Sequence, residues 1–140
     1  MGTPLVVLIL LLLFAPVRVG AEASCDDIEA LANQWHELAD YIDEQTQDGK
    51  DITPKARARV HQEQKALVPR TRALAAKLAL VKRKRIQGLA RQLHGLIDQM
   101  EDTDPGDTWE TDVRVIDRMV DVIDDATEQC DSGRFGFGQA

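Results

Sequence analysis

Apolar residues recur every three or four positions along three stretches of the chain, which is the spacing of one face of an α-helix. The first stretch follows this spacing through Cys25, Ile28, Leu31, Trp35, Leu38 and Ile42. It predicts an amphipathic helix over about 24–47. Gly49 then ends the helix, because glycine readily takes the backbone conformation that closes a last helical turn.

The second stretch, 54–100, is the longest and predicts the central element of the fold. Thr53 is a good helix cap and Pro54 is well accepted at the first helical position. The apolar positions are Val60, Leu67, Leu74, Leu78, Val81, Ile86, Leu89, Leu93, Leu96 and Met100. Pro69 lacks an amide donor and predicts a kink or a break. The step from Val81 to Ile86 is one residue out of phase, which also indicates an interruption.

The third stretch follows a turn at 102–106 that is rich in Asp, Pro and Gly. Asp107 is the predicted helix cap, with Glu110 three residues later to complete a capping box. The apolar positions are Trp109, Val113, Ile116, Val120, Ile123, Thr127 and Cys130. No stretch shows the alternation of a strand. The pattern predicts an all-α antiparallel bundle with coiled-coil-like spacing, of three helices if the central one is only kinked at Pro69 and of four if it breaks.

The first residues have the pattern of a signal peptide, 1–23. An apolar run at 5–14 is too short for a membrane span, and small residues precede cleavage after Ala21 or Ala23. An uncleaved N-terminal anchor is the alternative. The remainder divides into a helical domain, 24–133, and a flexible glycine and phenylalanine tail, 134–140. The expected location is periplasmic or extracellular.

Cys25 and Cys130 are the two cysteines of the chain, and they bracket the predicted helical domain. An even cysteine count in an exported protein predicts a disulfide, with two free buried thiols as the alternative. A long central helix brings both cysteines to its middle, and a four-helix bundle brings them to one end. Three helices of equal length would place them too far apart to bond.

The net charge is −7, yet the stretch 54–100 is basic and its flanks are acidic. The negative net charge disfavours nucleic acid as a partner of the whole protein. Antiparallel packing predicts that the basic centre pairs with the flanks, with Arg72 close to Glu29. It also predicts that Lys82, Lys84 and Arg85 lie opposite Glu128, Asp125 and Asp124.

A run of four cations, Lys82, Arg83, Lys84 and Arg85, is the first candidate site. Because charges on a helix surface are usually solvated or paired, we interpret this run mainly as structural. The alternative is a site for anionic envelope polymers or lipids.

A metal site is the second candidate. His36 and Asp40 lie on one face of the first helix, and His61 lies across the first hairpin. Imidazole and carboxylate groups suit transition metals. Each histidine, however, directly follows an apolar core position, where polar residues are expected. We therefore expect no cofactor.

The sequence contains no catalytic motif, since its serines are Ser24 and Ser132 and its cysteines are better used in a disulfide. We therefore predict a protein-interaction or scaffold module rather than an enzyme. The expected partner is another envelope or secreted protein, with membrane contact only through the signal segment. A periplasmic metal- or ligand-binding module is the alternative.

Overall fold

The computed structural model describes residues 25–102 and 108–133, and these form four α-helices joined by turns. The helices are α1, Cys25–Gln45; α2, Pro54–Ala79; α3, Lys84–Glu101; and α4, Trp109–Asp131, with a short 3₁₀ turn at Gln47–Gly49. The predicted signal peptide, the predicted tail and positions 103–107 lie outside the described residues.

The four helices form an up-down-up-down bundle. Each helix packs against its neighbour in sequence, and α4 returns to pack against α1. The all-α prediction is confirmed, and the described residues form the four-helix alternative. None of the described helices is long and apolar enough to cross a membrane.

The central stretch breaks after Ala79 and not at Pro69. Helix α2 continues through Pro69, whose ring is exposed to solvent. The amide that proline lacks would have bonded the carbonyl of Lys65, which also lies at an exposed position where water can satisfy it. The break falls at 80–83, which overlaps the out-of-phase step from Val81 to Ile86.

Threonine hydroxyls cap the two helices that follow threonines. Thr53 Oγ1 accepts the amide N–H of Ala56 at 3.1 Å, as predicted. Thr108 Oγ1 accepts the N–H of Thr111 at 3.4 Å, so the cap of α4 is Thr108. The predicted cap, Asp107, lies outside the described residues. Thr108 can fill the role because its hydroxyl also offers an acceptor to the first helical turn.

The core lies between the four helices and contains most of the predicted apolar positions. Its largest fully buried side chains are Trp35, Ile28, Leu38, Leu78, Ile86, Leu93, Ile97, Ile116, Met119, Ile123, Val60 and Thr71. Full burial of one such aliphatic or aromatic side chain contributes roughly 1.5–3 kcal/mol to folding. This core, together with the chain reversals, sets which side chains meet on the surface.

Cys25 and Cys130 form a disulfide, with their Cα atoms 5.6 Å apart. It joins the start of α1 to the end of α4, at the same end of the bundle as the turn between α2 and α3. We call this the disulfide end. This is the arrangement expected of the four-helix alternative, and a disulfide is typical of proteins outside the cytoplasm.

The predicted pairing of charges is confirmed only in part. Arg85 Nη2 lies 3.3 Å from Asp125 Oδ1, one residue away from the predicted Asp124, whereas Lys82 and Lys84 form no ion pair with the described residues. Arg72 instead pairs with Glu101 of α3 at 2.5 Å and not with Glu29 of α1. The prediction failed because the break at 80–83 folds α3 back along α2 and supplies a closer acid.

Candidate interaction surface

The turn between α2 and α3 carries the candidate site, which we call the cationic turn: Leu80, Lys82, Arg83 and Lys84. Backbone hydrogen bonds hold it tightly, from Leu80 N–H to the Lys77 carbonyl at 3.2 Å and from Arg83 N–H to the Val81 carbonyl at 2.9 Å. The helix break therefore presents these four residues together at the disulfide end.

Leu80 is exposed over 81% of its surface and is the only large apolar residue among the described ones that is exposed to this degree. The neighbouring Val81 is half-buried and packs against the core. Leu80 is therefore an exposed apolar side chain two residues before a run of three cations. Leu80 therefore contributes little to the stability of the core, because most of its surface remains in contact with water.

The three cations of the turn form no ion pair with any residue that the structure describes, whereas Arg85 next to them pairs with Asp125. Lys82, Arg83 and Lys84 all lie at exposed positions. Their charged groups are therefore open to solvent.

Helix stability does not explain these cations. The first turn of α3 contains no acidic residue, and Arg83 in the cap position makes no capping hydrogen bond through its side chain. Cations at a helix N-terminus are disfavoured, because the backbone dipoles already place positive charge there. By contrast, α4 begins with Glu110 and Asp112, and its cap is Thr108.

A second cluster of charged groups lies at the opposite end of the bundle. Asp112 of α4 is buried, and its Oδ2 lies 3.3 Å from both Arg57 Nη2 and His61 Nε2 of α2. The Arg57 guanidinium also stacks over the ring of Trp109, 5.6 Å from its centroid. These contacts supply hydrogen-bond and charge partners to a buried carboxylate and connect α2 to α4. We therefore interpret the cluster as structural.

The predicted metal ligands are not brought together. His36 Nε2 lies 2.8 Å from the carboxylate of Asp124, and His61 contacts Asp112. Asp112 and Asp124 are twelve residues apart on α4, which is about 18 Å along a helix. Ligand atoms of one ion lie within about 4 Å of each other, so the two histidines do not share a site. Asp40 is exposed, and residues 25–102 and 108–133 hold no cluster of three potential ligands.

Acidic side chains crowd the surface where α1 meets α4. The pKa of Asp117 is raised above its ordinary value because its carboxyl is partly desolvated and lies near Asp43 and Asp121. This crowding costs stability at neutral pH.

The exposure of Leu80 and the burial of Asp112 were not predicted from the sequence, although the position of each residue on its helix indicates it. Leu80 lies two residues after the core position Leu78, off the apolar face and next to a run of cations. Asp112 lies three residues after Trp109 and four before Ile116, which places it on the buried face of α4. In both cases the polarity of the side chain is opposite to that of the helix face on which it lies, and such a mismatch often marks a functional or specially stabilised position.

Comparison of the chain with protein-family models, with curated proteins and with solved structures found no match.

Proposed function

We propose that this protein is an exported, non-catalytic interaction module that binds a negatively charged partner through the cationic turn. The observation that carries the proposal is the set of three exposed cations, Lys82, Arg83 and Lys84, without ion pairs among the described residues. The three cations lie together at the disulfide end of a chain whose net charge is −7.

Export is part of the proposal. It is supported by the signal-peptide pattern of 1–23 and by the disulfide between Cys25 and Cys130. The periplasm and the extracellular space both fit these observations.

A binding role fits the architecture of the disulfide end. The packed core holds α2 and α3 in place, and backbone hydrogen bonds fix the turn between them. A turn with a fixed backbone loses less conformational freedom on binding, which favours association.

The test uses heparin, a soluble sulfated polymer, as a polyanion probe. We expect the purified oxidised protein to be retained on immobilised heparin at low salt and released as salt screens the contact. The variant Lys82→Glu with Arg83→Glu should lose retention.

The matched control is Lys50→Glu with Lys55→Glu, which makes the same change in net charge at exposed positions of the opposite end. It should elute close to the wild type. Equal loss in both variants, or no retention of the wild type, would overturn the proposal.

A further inference from the structure

We infer that the cationic turn is a membrane-surface contact, in which Leu80 enters the interface of an anionic lipid bilayer while Lys82, Arg83 and Lys84 bind its headgroups. The inference rests on the proposed function and names the partner. It develops the alternative that the basic run binds anionic lipids, and it departs from the main sequence-based expectation that only the signal segment touches a membrane.

Charge complementarity is the first argument. Bilayers that contain anionic lipids carry a negative surface potential, and each Lys or Arg near that surface strengthens binding roughly fivefold. The cations of the turn have no competing partner among the described residues, so none of this attraction is spent on internal ion pairs.

The single exposed leucine is the second argument, and it separates a bilayer from a soluble polyanion. Leu80 is 81% exposed and has no use in binding a polymer of sulfate or phosphate groups. In the interfacial region of a bilayer, the same side chain leaves water and adds an apolar contribution to the electrostatic one.

The shape of the site is the third argument, and it favours a bilayer over an acidic protein. Specific protein interfaces bury extended complementary patches of about 800 Å² on each partner. The turn offers one large apolar side chain at the tip of a helical hairpin, surrounded by long flexible cations. A fluid surface accepts such a point contact without a matching pocket.

The turn also has the geometry to insert. Leu80 lies at the C-terminal cap of α2, and Arg83 in extended conformation leads into α3. The Lys and Arg stems can lie along the acyl boundary while their charged groups stay at headgroup level.

The experiment measures binding of the oxidised protein to vesicles by co-sedimentation. One set of vesicles contains equimolar phosphatidylglycerol and phosphatidylcholine, and the other contains phosphatidylcholine alone. We expect binding to the anionic vesicles only, weakened by salt. The Leu80→Ser variant should bind them roughly tenfold more weakly, because it loses the apolar contribution, and should still be retained on heparin.

Insertion is read directly from a Leu80→Trp variant. Its added fluorescence should shift to the blue on anionic vesicles, measured against the wild type, which supplies the background of the fully buried Trp35 and the half-buried Trp109. Because position 80 is exposed, neither substitution should lower the melting temperature, and far-ultraviolet circular dichroism checks that both variants fold. The charge-reversed control at Lys50 and Lys55 should bind vesicles as the wild type does.

The outcomes separate the inference from the function on which it rests. Retention on heparin without binding to anionic vesicles overturns the membrane inference, keeps the proposed function and points to an acidic protein or polymer. Equal vesicle binding by the wild type and Leu80→Ser overturns the insertion of Leu80. If the wild type binds neither heparin nor anionic vesicles, the proposed function is overturned as well.

Discussion

Trp35 and Thr71 form a hydrogen bond in the middle of the core, with the indole N–H of Trp35 donating to the Thr71 hydroxyl at 3.0 Å. Both residues are fully buried, and the same hydroxyl donates to the Leu67 carbonyl at 2.8 Å. The bond fixes α1 against α2 and satisfies the polar atom of the largest side chain in the core.

Replacing Thr71 with valine should destabilise the protein by about 1–3 kcal/mol, because the shape is kept and the buried indole N–H loses its acceptor. Chemical denaturation of the oxidised protein measures this change. The matched control is Thr127→Val, since the Thr127 hydroxyl also donates to a carbonyl four residues back but receives no indole. Equal effects at both positions would show that the indole bond adds nothing.

Reduction of the Cys25–Cys130 disulfide should lower the free energy of unfolding by about 4–5 kcal/mol. The bond closes a loop with a sequence separation of 105, and opening it gives the unfolded chain more conformational freedom. Guanidinium unfolding with and without reductant measures the loss. A variant with both cysteines changed to alanine should match the reduced wild type and ignore reductant, and an unchanged midpoint in either experiment would contradict the expectation.

Asp117→Asn should stabilise the protein at neutral pH. Because the pKa of Asp117 is raised in the folded state, folding favours its protonated form, and its ionised form is destabilising at pH values above that pKa. Desolvation of the carboxyl is the first cause of the raised pKa, followed by repulsion from Asp43 and then from Asp121. Like charges four residues apart on a helix typically cost about 0.2–0.5 kcal/mol, which is the expected share of the repulsion from Asp121 in the gain.

The gain from Asp117→Asn should vanish below about pH 3.9, the ordinary pKa of an aspartate, where both states of the wild type are protonated. Urea unfolding at neutral and acidic pH measures the difference. Asp121→Asn removes one of the same repulsions, so the two gains should not be additive. A gain that persists at acidic pH would point to a cause other than charge.

Zinc, copper and nickel should show no saturable binding that requires both His36 and His61, because the carboxylates they contact are about 18 Å apart on α4. Titration of the oxidised protein, followed by melting temperature, compares the wild type with His36→Ala and His61→Ala. Equimolar binding lost in each single variant would show that the two residues act in one site.

The existence and faces of the helices could be read from the sequence. The three-four spacing from Ile28 to Ile42 and from Trp109 to Cys130 predicted α1 and α4, because a helical period of 3.6 residues places such positions on one side. The start of α2, with Thr53 as the cap and Pro54 as the first helical residue, was also predicted correctly, because a helix start depends mainly on residues adjacent in sequence. The candidate metal site was not realised, because spacing on separate helices does not set the distance between them.

What the sequence determined by itself is local: three amphipathic stretches, their polar boundaries, and two candidate interruptions in the central stretch, at Pro69 and between Val81 and Ile86. The tertiary structure decided that the central stretch breaks after Ala79 and continues through Pro69. It also decided that Arg72 pairs with Glu101, and that Leu80 is exposed beside cations that form no ion pair with the described residues. Helical periodicity tells which face of a helix is buried, but a partner across the bundle depends on where the chain reverses and how the neighbouring helices pack.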